Sequence, residues 1–328
     1  MSKSRPGWLP YVALAAIALI WGASFLFIKV AVRDMSPMVL VFIRSASGFV
    51  ALAVLMIAMR RGLFPNARRR WMPFAVMAIT GGVLPWLAIA WGEERISSGL
   101  ASILNATTPL WAAILVYWVI PSERPSPINY AGVLIGLAGV VILVLPDITA
   151  GGIRGDLIGA VAVLLASVSY AVSALYQRRK LRGVNVFEAN LGQLAFTALF
   201  VLPLAVPSVP RVHVEVSSIA AVLALGIAGS GIAGVLYYYV LNSLGPVRGS
   251  GVTLLVPVTA VFWGATLLRE LVTVPIVVGM IVILAGVVLT NVGRRAVSPA
   301  QSEPAPSPAA DPSRPRRDLP TSGEEAAT

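Results

Sequence analysis

GLASILNATTPLWAAILVYWV, residues 99–119, is one bilayer crossing of apolar residues with a proline near its middle. Pro109 carries no N–H, so the carbonyl of Asn105 loses its helical donor. In hydrocarbon that carbonyl must find another partner or face water. The Asn105 side chain sits at the same level, and Ser102 lies about one turn earlier on the same face. GSGVTLLVPVTAVFWGATLL, residues 249–268, repeats the arrangement: Ser250, Thr253 and Pro257 follow Ser102, Asn105 and Pro109 at an offset of 148. Interrupted apolar segments at matching positions of two halves point to a transporter's binding site.

Composition sets the frame for these two stretches. Of 328 residues, 57% are hydrophobic and 12% charged. A soluble domain carries about 25% charged residues, so the chain reads as an integral membrane protein. The net charge of +11 fits basic cytoplasmic loops, and no nucleic-acid partner is implied. With no cysteine, disulfides, thiolate catalysis and cysteine metal sites are excluded. The single histidine, His213, lies in a polar connection without metal-ligand partners, so no metal site is expected. No Walker A motif is present, which argues against direct ATP drive, and no cofactor is implied.

A spanning helix needs about 20 apolar residues. On that rule spans fall near 10–31, 37–59, 72–92, 98–120, 127–145, 155–177, 185–205, 217–241, 247–268 and 273–292. The first run is too long for a signal-peptide core, so a retained helix is expected. With the N-terminus inside, the inner segments hold 18 of the 25 Lys and Arg and the outer loops hold 5. That bias predicts a multi-pass protein of a bacterial cytoplasmic membrane with both termini cytoplasmic. Residues 1–9 form the cytoplasmic N-terminus. Residues 293–328, rich in Pro, Ser and Ala without apolar period, predict a disordered cytoplasmic tail.

The second half copies the first. LAGVV at 137–141 returns at 284–288, and Lys29 and Arg44 stand at offset 149 from Arg178 and Gln193. Five helices per copy is an odd number, so the second copy enters from the opposite side. The charge bias inverts with it: the loop after helix 2 carries five arginines, and the loop after helix 7 only Arg211. The predicted fold is an all-α membrane protein of ten transmembrane helices, built as inverted-topology five-helix repeats over 10–145 and 155–292.

WGASFLFIK (21–29), FIRSASGFVAL (42–52), and the stretches 99–143 and 237–289 resemble the EamA family of the drug/metabolite transporter superfamily. The last two share small–Ser, proline, acidic residue and Gly–x–LAGVV, once per half. The resemblance covers about residues 12–292. It implies a ten-helix inverted-repeat carrier in the cytoplasmic membrane that exports or exchanges small metabolites or drugs. One departure stands out: Glu123 follows Pro109 by 14 residues, whereas Glu270 follows Pro257 by 13.

The candidate substrate-binding residues are Ser102, Asn105 and Pro109 with Ser250, Thr253 and Pro257, which either line a cavity or bond across helices. Arg44 lies one third of the way into helix 2. A charge there meets an anionic substrate group or backbone carbonyls. Trp21 and Trp86 sit near mid-span and are expected as apolar cavity walls. Lys29 lies near a span end, where its stem can snorkel. Gly132, Gly136 and Gly139 make a small-residue face that serves packing within the chain or a homodimer. No carboxylate falls at a span centre; Glu188, a few residues into helix 7, is the nearest.

These features predict a secondary active transporter, an exporter or exchanger of small metabolites, amino-acid-like compounds or drugs. It would work by alternating access around a midplane site between the repeats. Its partners are a small-molecule substrate and the lipid bilayer. A pore or lipid scramblase is the alternative, without a charge ring or filter-like run. An intramembrane enzyme lacks a nucleophile–base pair within the spans.

Overall fold

The computed structural model describes residues 8–65, 67–119, 126–149, 155–181, 183–211, 215–249 and 251–291. All belong to one compact unit, Met1–Arg294. The expected tail, Glu123 and Ser250 lie outside the described residues.

Ten apolar helical segments follow one another: α1 Leu9–Ala31, α2 Pro37–Ala58, α3 Arg69–Glu93, α4 Ser98–Val119, α5 Pro127–Pro146, α6 Asp156–Lys180, α7 Val186–Val209, α8 Val216–Tyr237, α9 Val252–Leu267 and α10 Val274–Asn291. Nine of them have the length and apolarity to cross a membrane, and α9 is shorter. Helix starts follow local chemistry. Ser36 precedes Pro37 and its Oγ accepts the Val39 N–H, while Ser97 caps α4 through the Leu100 N–H and Asn185 caps α7 through the Phe187 N–H. One boundary differs from expectation. The helix that ends α8 continues to Gly249, and α9 begins at Val252, later than the hydropathy suggests.

The two halves interlock. α1 packs on α8 and α9, and α6 packs on α3 and α4 in the same way. The second helices α2 and α7 pair with each other, and so do the fifth helices α5 and α10. The α5–α10 pair explains the repeated LAGVV string. A Cβ on Gly286 would stand 2.4 Å from the Gly136 nitrogen and 2.6 Å from the Gly132 oxygen. A Cβ on Gly139 would stand 3.0 Å from the Gly279 oxygen. Only glycine permits backbones this close. The small-residue face is therefore engaged within the chain.

The two proline helices part company. In α4 the helix breaks after Asn105 and resumes at Thr108. The carbonyl freed by Pro109 is met locally, since Thr108 Oγ1 donates to the Asn105 oxygen at 2.8 Å. Thr107 Oγ1 and Ser167 Oγ both donate to the Leu104 oxygen, at 2.6 and 3.2 Å. The corresponding positions in α9 are Leu255 and Val256, which have no hydroxyl, and α9 runs unbroken through Pro257.

Candidate functional site

Proline shapes a second helix. α3 carries Pro85, which removes the donor for the carbonyl of Gly81. Just before it, residues Ile79–Val83 form a π-helical turn. Such turns occur frequently at functional sites. The freed carbonyls are met from the other repeat. Gln193 Nε2 of α7 donates to the Gly81 oxygen at 2.8 Å, and Ser169 Oγ of α6 donates to the Thr80 oxygen at 2.7 Å.

The counterpart helix α8 carries its own π-helical stretch, Leu225–Ile232. Trp21 Nε1 of α1 donates to the Gly229 oxygen at 3.1 Å. Arg44 Nε of α2 donates to the Ser230 hydroxyl at 3.0 Å, and Asn190 Nδ2 donates to the Ser230 carbonyl at 3.2 Å. The pairings follow the repeat. Arg44 and Gln193 are equivalents at offset 149, and each reaches the π turn of the opposite repeat. Trp21 and Tyr170 are likewise equivalents.

These side chains wall a cavity of about 410 Å³ between the repeats. Its lining includes Trp21, Arg44, Trp86, Tyr170, Asn190, Gln193, Ser230 and Tyr237. It extends to Gln177, Val186 and Phe187 at the end of the bundle where α6 connects to α7. The Arg44 guanidinium lies 3.9 Å from the Trp86 ring centre, a cation–π stack that fixes its plane. Beyond the bond to Ser230, no hydrogen bond or ion pair holds that guanidinium among the described residues. Trp21 packs against Tyr237 with ring centres 5.2 Å apart. The wall thus offers one cation, several amides and hydroxyls, and flat apolar faces. That combination suits a small amphipathic molecule with an anionic group. Among the described residues no cluster of three acidic, histidine or cysteine side chains is placed to hold a metal ion.

Of the residues singled out from sequence, Trp21, Trp86 and Arg44 meet in this cavity. The proline faces were expected to line a central cavity; among the described residues, Ser102, Asn105, Pro109, Thr253 and Pro257 are not in the wall of this one. Ser102 is buried and its Oγ has no partner among the described residues, and the Asn105 Oδ1 is likewise enclosed without one. Pro109 is half-buried, Pro257 is buried, and Thr253 is exposed. The reason is the local hydroxyls of Thr107 and Thr108, which satisfy the broken turn of α4 without a cavity. Sequence reading passed over Tyr170, Asn190, Ser230 and the role of Gln193. Pro85 and the 149-residue offset were the available signals.

The opposite end of the bundle is closed by charge. Glu270, just after α9, accepts the Ser98 N–H at 2.8 Å, the Ser98 hydroxyl at 2.9 Å and the Gly99 N–H at 3.2 Å. A carboxylate at a helix N-terminus is favourable there. Lys29 donates to the carbonyls of Glu93 and Ile96, tying α1 to the end of α3 rather than snorkelling. Asp34 accepts a bond from Ser218 Oγ, joining the start of α8 to the α1–α2 connection.

The sequence pattern of the EamA-like transporter family matches residues 8–145 and again 157–292. The uncharacterized transporter YoaV of Bacillus subtilis (strain 168) is 22% identical over 282 residues, covering 85% of this chain and 96% of the relative. The uncharacterized inner membrane transporter YedA of Escherichia coli (strain K12) is 28% identical over 292 residues, covering 86% and 90%. A WAT1-related chloroplastic protein of Arabidopsis thaliana is 24% identical over 302 residues, covering 89% and 71%. One solved crystal structure shares the fold with a TM-score of 0.63 at 20% identity, covering 88% of this chain and 97% of that one. With a double family match across nearly all its spans, the chain belongs to the EamA-like transporter family and is a multi-pass membrane transporter.

Proposed function

We propose that the chain is a secondary carrier for small amphipathic solutes bearing an anionic group, amino-acid-like compounds among them, which it exports or exchanges. The two repeats alternate access to the cavity that they share. The observation that carries this reading is the repeat-related pair Arg44 and Gln193, each crossing to the other repeat's π turn in the cavity wall. Inverted repeats with a binding site at their interface are the expected architecture of such carriers.

The cavity reaches the end of the bundle that bears Arg60, Arg61, Arg69, Arg70, Arg178 and Arg179. By the charge bias this end is cytoplasmic, with both chain termini on the same side, so the conformation reads as inward-facing. The Ser102–Asn105–Pro109 face, Thr253 and Pro257 then serve helix bending and closure more than substrate contact.

The test is counterflow. Purified protein in liposomes preloaded with an unlabelled amino-acid mixture should accumulate the same labelled mixture transiently, and the uptake should saturate. Uptake that rises linearly with concentration and ignores preloading would mark a pore and overturn the carrier reading.

A further inference from the structure

The cavity wall holds a pair of side-chain amides whose direction is fixed by what they touch. Asn190 Nδ2 donates to the Ser230 carbonyl at 3.2 Å, and Gln193 Nε2 donates to the Gly81 carbonyl at 2.8 Å. A backbone carbonyl only accepts, so each amide must present its nitrogen there and turn its oxygen away. Neither Asn190 Oδ1 nor Gln193 Oε1 has a hydrogen-bond partner among the described residues, and neither is enclosed by protein. Both residues line the cavity, so the cavity is the space left open to these oxygens. They lie about one turn apart on α7 and share a face.

Ser230 ties this pair to the cation. Its hydroxyl accepts from Arg44 Nε at 3.0 Å, and its carbonyl accepts from Asn190. The guanidinium and the Asn190 amide therefore meet on one residue and stand beside each other in the wall. The terminal guanidinium nitrogens have no hydrogen-bond partner among the described residues and are not enclosed. Free donors thus lie next to free acceptors. Among the described residues no carboxylate lines the cavity, so the acceptors are neutral.

The complement of that wall is an anion with a donor group on the neighbouring atom. Paired acceptors fit an ammonium, which has several N–H bonds to give, whereas a hydroxyl would fill one acceptor and leave the other unpaired. A ligand with no donor would strip water from both oxygens and return nothing. A site that hydrogen-bonds a substrate group rejects the analogue lacking it for that reason.

We propose that Asn190 and Gln193 form the amino-group half of the substrate site, beside the carboxylate half at Arg44, and that this pair selects α-amino acids in their zwitterionic form over plain carboxylates. The proposal rests on the reading of the cavity as the carrier's site and of Arg44 as its anion-holding group. The amino group is read by dipoles alone, so the wall supplies it no counter-ion. A zwitterion then enters and leaves without changing the net charge of the cavity.

Binding to the purified full-length protein in detergent micelles tests this, read by tryptophan fluorescence because Trp21 and Trp86 stand in the wall. The probes share one skeleton: leucine, its hydroxy analogue leucic acid, and isocaproate, which has neither group. Leucine should bind about tenfold tighter than isocaproate or better, the worth of at least one net hydrogen bond, with leucic acid between them. Asn190→Leu and Gln193→Met should each weaken leucine several-fold and isocaproate far less, which narrows the preference. Either variant suffices if the other does not fold. Equal binding of leucine and isocaproate by the wild type overturns the amino-group site. So does leucic acid as tight as leucine, or variants that weaken leucine and isocaproate alike. If none of the acids binds the wild type, the anion reading of Arg44 falls and the proposal falls with it. Transport plays no part in this measurement, so failed counterflow would remove the carrier reading and leave the binding result standing.

Discussion

Substitution of Gly286 by alanine tests how the repeats are held together. The added Cβ would stand 2.4 Å from the Gly136 nitrogen, 2.6 Å from the Gly132 oxygen and 2.6 Å from the Gly136 Cα. All three neighbours are backbone atoms, so no rotamer change relieves the clash. Ordinary carbon contacts begin near 3.5 Å, so α5 and α10 must separate by about 1 Å. Overpacking of this kind costs about 1–3 kcal/mol, and losing the close backbone approach adds to it. The expected result is a large fall in stability for Gly286→Ala in mixed-micelle unfolding followed by fluorescence of the 8 tryptophans. Gly62→Ala is the control, because the nearest atom to its Cβ, Pro65 Cδ, is 4.0 Å away. If Gly286→Ala unfolds at the same denaturant fraction as Gly62→Ala, the α5–α10 seam does not carry the packing described here.

Three other outcomes follow from the site and the charge bias. Arg44→Gln should weaken carboxylate-bearing substrates by about 1.5–3 kcal/mol, the usual worth of a charged hydrogen bond, and spare neutral ones. Equal transport of both by the variant would remove Arg44 from the site, and Arg44→Lys should rescue only in part because it loses the Trp86 stack and the Ser230 bond. Trp21→Phe keeps the ring but strands the Gly229 carbonyl, so it should cost about 0.5–1.5 kcal/mol of stability and leave the ring contact with substrate intact; an unchanged unfolding midpoint would show that the bond to Gly229 is dispensable. A single cysteine at position 68, in a chain that has none, should be labelled only from the cytoplasmic side, and labelling from outside alone would reverse the orientation.

Much of the architecture is legible because lipid leaves few options. Ten apolar runs, an odd number per half and an inverting charge bias define the repeat without reference to coordinates. A carbonyl freed by proline within a span does find a partner here. At Pro109, Thr107 and Thr108 answer locally, whereas the carbonyl freed by Pro85 is answered across the repeat boundary. The cavity wall was harder to read because both third helices change pitch. Gly81 and Trp86, five residues apart, fall about 140° apart on a straight α-helical wheel, yet they share one wall. Gly229 and Gly234 do the same in α8. A π turn brings residues five apart into line, and hydropathy does not report it. Glu93 shows the same limit. Apolar content ends just before it, so it reads as a carboxylate at a span end or in a loop, whereas its side chain is completely buried.

The glycine seam between α5 and α10 has a further consequence. Gly139 and Gly286 are repeat equivalents, as are Gly132 and Gly279. The contacts run crosswise, Gly132 with Gly286 and Gly139 with Gly279. Each patch therefore meets a copy of itself about a two-fold axis, which is the geometry of an isologous dimer. A single five-helix half, inserted into the bilayer in both orientations, would already carry a surface fitted to its own inverted twin. Fusion of two such halves then adds a linker without requiring a new interface.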